Sequence, residues 1–425
     1  MVAFQGAAIN CVARAQRISG GNITQPGGAA PQQRISANPG TGDEVSLVRG
    51  GPFYRAQEAA RLIQSDRWNL GRRVIFAIAI GWLPLVLITL LFNPRAVIGL
   101  LTDYPINARV LVAVPVLLAG QVIMETAFRT ILRHIRHAAL LTPSDTARLD
   151  ETLARLIRLR DSVIPELVIV VAAYAHVAQL VQTHLVFGRP WMLAGTGAEA
   201  HLSPAGWYYA LISQLLYQVL VGISFWKWLL WWIFLFRLSR LDLQLMPTHP
   251  DQHGGIGFLG LSPMAIVPTF FAASAAIGAT WRAEILRGGG AVHLMSFKVD
   301  AIVLLGIVLI LALGPLLFFV PKLTSLRRRG IFEYGTLAQL ESTAFHNRWI
   351  LHRAGREEEF PASPEASTLT DYGSSYQNIE HLQPFPYDRG ALVALILAVA
   401  IPMLPVALAE IPFAEVLKGL LNAVR

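Results

Sequence analysis

The sequence predicts an all-α polytopic membrane bundle of about seven transmembrane helices with a cytoplasmic helical hairpin. Three observations carry that expectation. Hydrophobic residues fill 54% of 425 positions and charged residues only 15%, against about 25% charged in soluble domains, and the mean hydropathy is +0.49. A bilayer core about 30 Å thick needs about 20 helical residues, and apolar runs of that length recur along the chain. Arginines concentrate in alternate loops between those runs, as the positive-inside rule requires of a multi-spanning protein.

Residues 1–55 hold Gly20-Gly21, Gly27-Gly28, Pro26, Pro31 and Pro39 with few large apolar groups, the composition of a disordered tail. No charged and then apolar run marks a cleaved signal peptide there. Domain 56–128 contains the first two spans, Val74 to Phe92 and Val110 to Phe128. Residues 129–161 form the hairpin: the second span continues to Leu141, and Thr142-Pro143-Ser144-Asp145 supplies a cap, a proline at the first helical position and an early acid. Leu149, Leu153, Leu156 and Ile157 then fall at helical spacing. Residues 162–320 carry spans three to six, Ile164 to Phe187, Trp207 to Phe236, Met264 to Trp281 and Ala301 to Val320. Residues 321–390 read as a helix ending near Gly355 and an irregular connector from Glu357 to Tyr387. Residues 391–425 hold the last span, Ala391 to Ala409, and an interfacial amphipathic helix after Pro412.

The arginine distribution places the N-terminus in the cytoplasm and the C-terminus outside. The net charge of +8 follows from these flanking arginines, so nucleic acid is not expected as a partner and the lipid bilayer is. Cys11 is the only cysteine, which excludes an internal disulfide and a cysteine metal motif.

His249, Asp251 and His253 alternate in a turn set by Pro250, and imidazole with carboxylate suits a divalent metal such as zinc. In the competing reading Asp251 caps the turn and Gly254, Gly255, Gly257 and Gly260 allow tight packing. Ionisable and polar groups inside spans are costly and mark candidate function. His176, Gln179 and Thr183 form a seam with Ala172 on the third span, and Gln214 and Gln218 share a face of the fourth. Together they are a candidate path, with interhelical hydrogen bonding as the structural alternative. Lys227, between Trp226 and Trp228, is expected to snorkel to an interface. Glu125 and Glu166 lie near the cytoplasmic ends of spans two and three, where they either join the His249 loop in a polar site or pair with Arg129 and Arg160.

The second half, from Trp207 onward, carries Pro247-Thr248-His249-Pro250-Asp251, then Gly254-Gly255-Ile256-Gly257-Phe258-Leu259-Gly260, then Glu333-Tyr334-Gly335-Thr336-Leu337-Ala338. With Ser375-Tyr376, Pro384-Phe385 and Pro402-Met403-Leu404-Pro405 it resembles a family of uncharacterised bacterial multi-spanning membrane proteins. The resemblance implies a bacterial inner membrane and a shared fold, and no activity. The leading functional expectation is a transport or channel protein with the His249 loop as cytoplasmic gate or sensor. The alternatives are a signalling or scaffold protein that recruits a soluble partner at the hairpin, and a metal-dependent enzyme acting on a lipid-linked substrate. No catalytic signature is present, which argues against an enzyme, and a homo-oligomer is compatible with everything above.

Overall fold

The computed structural model describes residues 45–64, 68–182, 189–195, 201–288, 291–351 and 364–409. Helix α1 spans Pro52–Ala59. The membrane helices are α2 (Leu70–Phe92), α3 (Tyr104–His137), α5 (Val163–Val181), α6 (Pro204–Leu238), α7 (Gly257–Arg287), α8 (Leu294–Arg348) and α10 (Arg389–Ala407). Between them lie α4 (Pro143–Arg160) and α9 (Pro364–Glu380). One two-stranded ribbon, Leu193–Ala194 against His201–Leu202, is antiparallel. The protein is an all-α, multi-pass membrane bundle. Its outward faces are apolar, with Leu91, Ile302 and Ile310 each about two-thirds or more exposed, as lipid-facing residues must be.

Helix α7 is the central element: 61% of its most apolar window is buried, against 17% for α5 at the periphery. The core between α3, α6 and α8 is built on aromatic groups. Phe128 stacks on Trp231 with ring centroids 4.1 Å apart, a separation at which such a pair adds to its burial. Pro315 in α8 has no amide to give the carbonyl of Leu311, four residues back, and the fold repairs this locally. Trp228 Nε1 donates to that carbonyl at 2.8 Å and Trp232 Nε1 at 3.2 Å.

Thr142 accepts the amide of Asp145 at 3.2 Å, capping α4, and Leu149, Leu153 and Leu156 bury against Ile131, Leu132 and Ile135 of α3. Three features differ from the sequence expectation. Pro321 does not separate a span from a later helix: it sits in the first turn after a 3₁₀ segment, Gly314–Phe319, where no helical donor is needed. The run therefore continues for 55 residues, about 80 Å at helical rise, well beyond a bilayer. The connector is also not irregular throughout, because α9 packs along α8. There Tyr372 Oη donates to Tyr334 O at 3.4 Å and Arg327 Nη2 to Glu380 O at 3.0 Å. Tertiary contact overrides the weak helix propensity of a Ser- and Asp-containing stretch.

The third difference concerns the tail. Residues 1–44 lie outside the described residues, as do Thr183 and the terminal amphipathic segment after Pro412. Residues 45–55, however, are not disordered. Ser46, Leu47 and Val48 are buried in the core formed by α3, α4 and α6, and the chain then enters α1. Three apolar residues, Val45, Leu47 and Val48, in a polar stretch are too short a pattern to announce a buried segment; their partners lie far along the chain.

Candidate functional site

Two polar regions occupy opposite ends of the bundle. At one end, called here the basic end, the segment 45–59, the hairpin and the His249 loop gather. Glu125 on α3 accepts from Ser46 Oγ at Oε2, 2.6 Å away, while its Oε1 forms an ion pair with Arg129 and lies 3.7 Å from Arg49 Nε. Glu166 on α5 accepts the amide of Phe53 at 2.6 Å. Lys227 on α6 is buried and donates to the carbonyl of Gly50 at 2.9 Å, so it does not snorkel; it reaches inward to the inserted segment. Arg160 Nη1 donates to Ser46 O at 2.5 Å, and Arg73 on α2 donates to Gln57 at 2.7 Å and to Gln121 at 2.6 Å.

Gly51 sits at φ 90°, and a Cβ there would lie 2.5 Å from Glu166 Oε1, so the approach of the backbone to the carboxylate requires glycine. Asp161 accepts the Gly51 amide at 2.9 Å. Burial raises its carboxyl, but the hydrogen bond and charge of Arg160, together with the Gly51 amide and the charge of Arg55, outweigh burial and hold it below its ordinary range. Glu125 is thus engaged by Ser46 and by arginine, and Glu166 by the amide of Phe53; Arg160, expected as a partner, instead forks onto Asp161, and neither carboxylate joins the His249 loop.

That loop is organised from within. Asp251 accepts the amides of His253 at 2.8 Å, Gly255 at 3.1 Å and Gly257 at 2.8 Å. Burial pushes its carboxyl up, and these amides, with a hydrogen bond from His249, outweigh burial and hold it below the usual carboxylate range. Gly254, at φ 67°, makes the turn; a Cβ there would meet Leu326 at 2.7 Å. His253 places Nδ1 2.6 Å from Asp251 O and Nε2 3.2 Å from Phe385 O. Both ring nitrogens lie within hydrogen-bonding distance of backbone carbonyls, and a neutral imidazole donates to one of the two.

His249 Nδ1 lies 2.7 Å from Asp251 Oδ1. The expected ligand set of His249, Asp251 and His253 does not converge on one point: Asp251 points at amides and His253 at carbonyls. Among the described residues no group of three His, Cys, Asp or Glu side chains is placed to hold a metal ion. What the loop does is join elements, because Gln383 N donates to Gln252 O at 2.8 Å and Asn378 Nδ2 to Thr248 O at 3.3 Å, tying it to the α9–α10 connection.

At the other end lies a cavity of about 430 Å³ between α3, α5, α6 and α7, lined by Arg109, His176, Gln214, Tyr217, Gln218, Ala276, Ile277, Thr280, Trp281 and Glu284. It brings together three of the five residues of the proposed path, His176, Gln214 and Gln218. Gln179 is exposed and does not line it.

Two π-helical turns frame the cavity, Ala108–Ala113 in α3 and Tyr209–Ser213 in α6; such turns displace side chains from the regular helical face and concentrate at functional sites. The first presents Arg109 and the second Tyr209. Arg109 Nη1 donates to Tyr209 Oη at 2.7 Å and to Gln214 Oε1 at 3.1 Å, and Nη2 donates to Thr280 Oγ1 at 3.3 Å. Tyr209 Oη donates in turn to Gln214 Oε1 at 2.7 Å. No carboxylate among the described residues forms an ion pair with Arg109. Gln218 Oε1 is buried without a hydrogen-bond partner.

Arg109 escapes sequence reasoning because it immediately precedes the apolar run, where an arginine reads as a flanking topology signal. The helix starts earlier, at Tyr104, so the guanidinium lies more than a turn inside it. The signal available in the sequence was polar groups at matching depth on other spans: Tyr209 and Gln214 near the start of α6, and Thr280 near the end of α7.

Compared with protein families, with curated proteins and with solved structures, the chain has no match.

Proposed function

We propose that this protein moves a solute across a bacterial inner membrane, with the cavity beside Arg109 and His176 as its substrate site. The cavity carries the reading. Its volume of about 430 Å³ suits a small organic molecule, and polar side chains from α3, α5, α6 and α7 converge there within otherwise apolar helices. Intramembrane polar groups that face a cavity are the usual mark of a substrate or ion pathway. With the basic end in the cytoplasm, as positive-inside topology favours, the cavity lies in the outer half and segment 45–59 closes the inner half.

Arg109 and Glu125 lie about 24 Å apart along α3, so the two polar regions are stacked along one route. The His249 loop serves as gate or sensor: it is the junction through which α9 and α10 meet the base of α7.

The test is solute uptake into proteoliposomes containing wild type or His176→Leu. His176 is exposed and lines the cavity, so the substitution spares the fold. Uptake reduced tenfold or more supports the reading, and uptake equal to wild type removes His176 from the path.

A further inference from the structure

Arg109 has a hydrogen-bonding capacity that its neighbours do not use. A guanidinium carries five N–H donors. Both Nη1 hydrogens are taken by Tyr209 and Gln214 and one Nη2 hydrogen by Thr280. Among the described residues nothing accepts from Nε or from the remaining Nη2 hydrogen. All three acceptors are neutral, and among the described residues no carboxylate forms an ion pair with the guanidinium, Glu284 standing on the same cavity wall and not in contact with it; a buried charge held only by neutral groups is costly in a membrane bundle. Arg109 is not sealed in the core: it keeps intermediate exposure and lines the cavity.

We propose that the cavity binds a monoanionic oxyanion, a carboxylate or a singly charged phosphate ester, with Arg109 as its anchor. The two unused N–H groups match two oxygens of one anionic group, the geometry in which arginine binds carboxylate and phosphate most strongly. Tyr209, Gln214 and Thr280 hold the guanidinium in orientation from the opposite side. Trp281 and Ile277 offer apolar wall to the organic remainder. Glu284 restricts the class to a single negative charge: it stands one turn beyond Thr280 on the same face of α7, about 6 Å further along the helix, and is exposed at the rim, where a second negative charge on the ligand would meet it.

The inference rests on the reading of the cavity as a substrate site, but binding and transport are separable. Full-length protein in maltoside micelles is titrated calorimetrically with benzoate, dimethyl phosphate, dihexanoyl phosphatidylglycerol, the dianion malonate and neutral benzamide. At least one monoanion binds, benzamide does not compete with it, and malonate binds more weakly. Arg109→Gln weakens monoanion binding tenfold or more. Glu284→Gln, an exposed change that spares the fold, strengthens monoanion binding several-fold and malonate binding by a larger factor. Binding of benzoate or dimethyl phosphate identifies a water-soluble ligand, and binding of the lipid alone identifies a lipid phosphodiester; either supports the proposal.

The absence of binding by every anion, benzamide binding equal to benzoate, wild-type affinity in Arg109→Gln or no gain in Glu284→Gln overturns it. Should Arg109→Gln fail to fold, the Glu284→Gln result decides. Proteoliposome uptake measured in parallel separates the two claims: anion binding without any uptake retains the anion site and removes the transport function, whereas uptake of a neutral solute unaffected by monoanions does the reverse.

Discussion

Glu125 and Arg109 lie on the same helix, and the fold treats their charges in opposite ways. Around Glu125 the buried charges are met by opposite charge and by the inserted segment: Arg129 and Arg49 flank the carboxylate and Ser46 donates to it, and the segment adds backbone groups for Glu166 and Lys227. Around Arg109 there are hydroxyl and amide acceptors, two π-helical turns and open volume. The first region is a joint, where buried charge is matched so that helices from distant parts of the chain hold together. The second keeps a guanidinium beside open volume, held by three neutral groups and, among the described residues, by no ion pair.

The largest effect that would break this comparison is expected from Glu125→Ala. Removing one member of a buried ion pair leaves the other uncompensated and costs about 3–5 kcal/mol, so the variant's thermal unfolding in detergent drops sharply or the protein fails to accumulate. In the same assay Arg109→Gln costs less than Glu125→Ala, because it gives up hydrogen bonds to three neutral groups and breaks no ion pair. Equal destabilisation by the two substitutions would erase the distinction between joint and site.

A middle-sized effect sharpens the account of the loop. Asp251→Asn loses a charged acceptor of three amides, worth about 1–3 kcal/mol. The folded-state carboxyl is held below its ordinary value, so the stabilisation is complete above the unfolded pKa of about 3.9. It disappears as the pH falls through the lower folded value. Thermal scans between pH 7 and pH 3 show a wild-type advantage over Asp251→Asn that is constant down to about pH 4 and shrinks below it; an advantage independent of pH would mean the carboxylate is not what the amides bind. The smallest effect belongs to the hairpin surface. Arg155 and Glu151 are both more than half exposed at 2.6 Å, and Arg155→Ala changes stability by no more than about 0.5 kcal/mol.

The spans were legible in the sequence because the bilayer demands a property visible in any window, a long apolar run. The cap at Thr142 was legible for a similar reason, since its donor and acceptor are three residues apart. The turn at Asp251 was legible as one of two alternatives, and the distances decide for capping. His176, Gln214 and Gln218 could be nominated because polar groups inside spans are rare, but their meeting at a cavity depends on which helices are neighbours, which no periodicity states. Segment 45–51 and helix α9 were missed for a shared reason: each is ordered by partners more than 35 residues away, while its own composition favours neither burial nor helix. Arg109 reads as a flanking topology signal because it stands at the edge of the apolar run, and only the early start of the helix at Tyr104 puts it inside.

The placement of segment 45–59 has a consequence for how the protein is made. Ser46, Gly50 and Phe53 leave the ribosome well before the residues that hold them, Glu125, Glu166 and Lys227, which belong to the second, third and fourth spans. The segment can lock only after those spans have been inserted and have found one another, so an early part of the chain completes the structure late. A bundle with a missing or misplaced helix therefore lacks the groups that hold Ser46, Gly50 and Phe53, and leaves Leu47 and Val48 without the core that buries them.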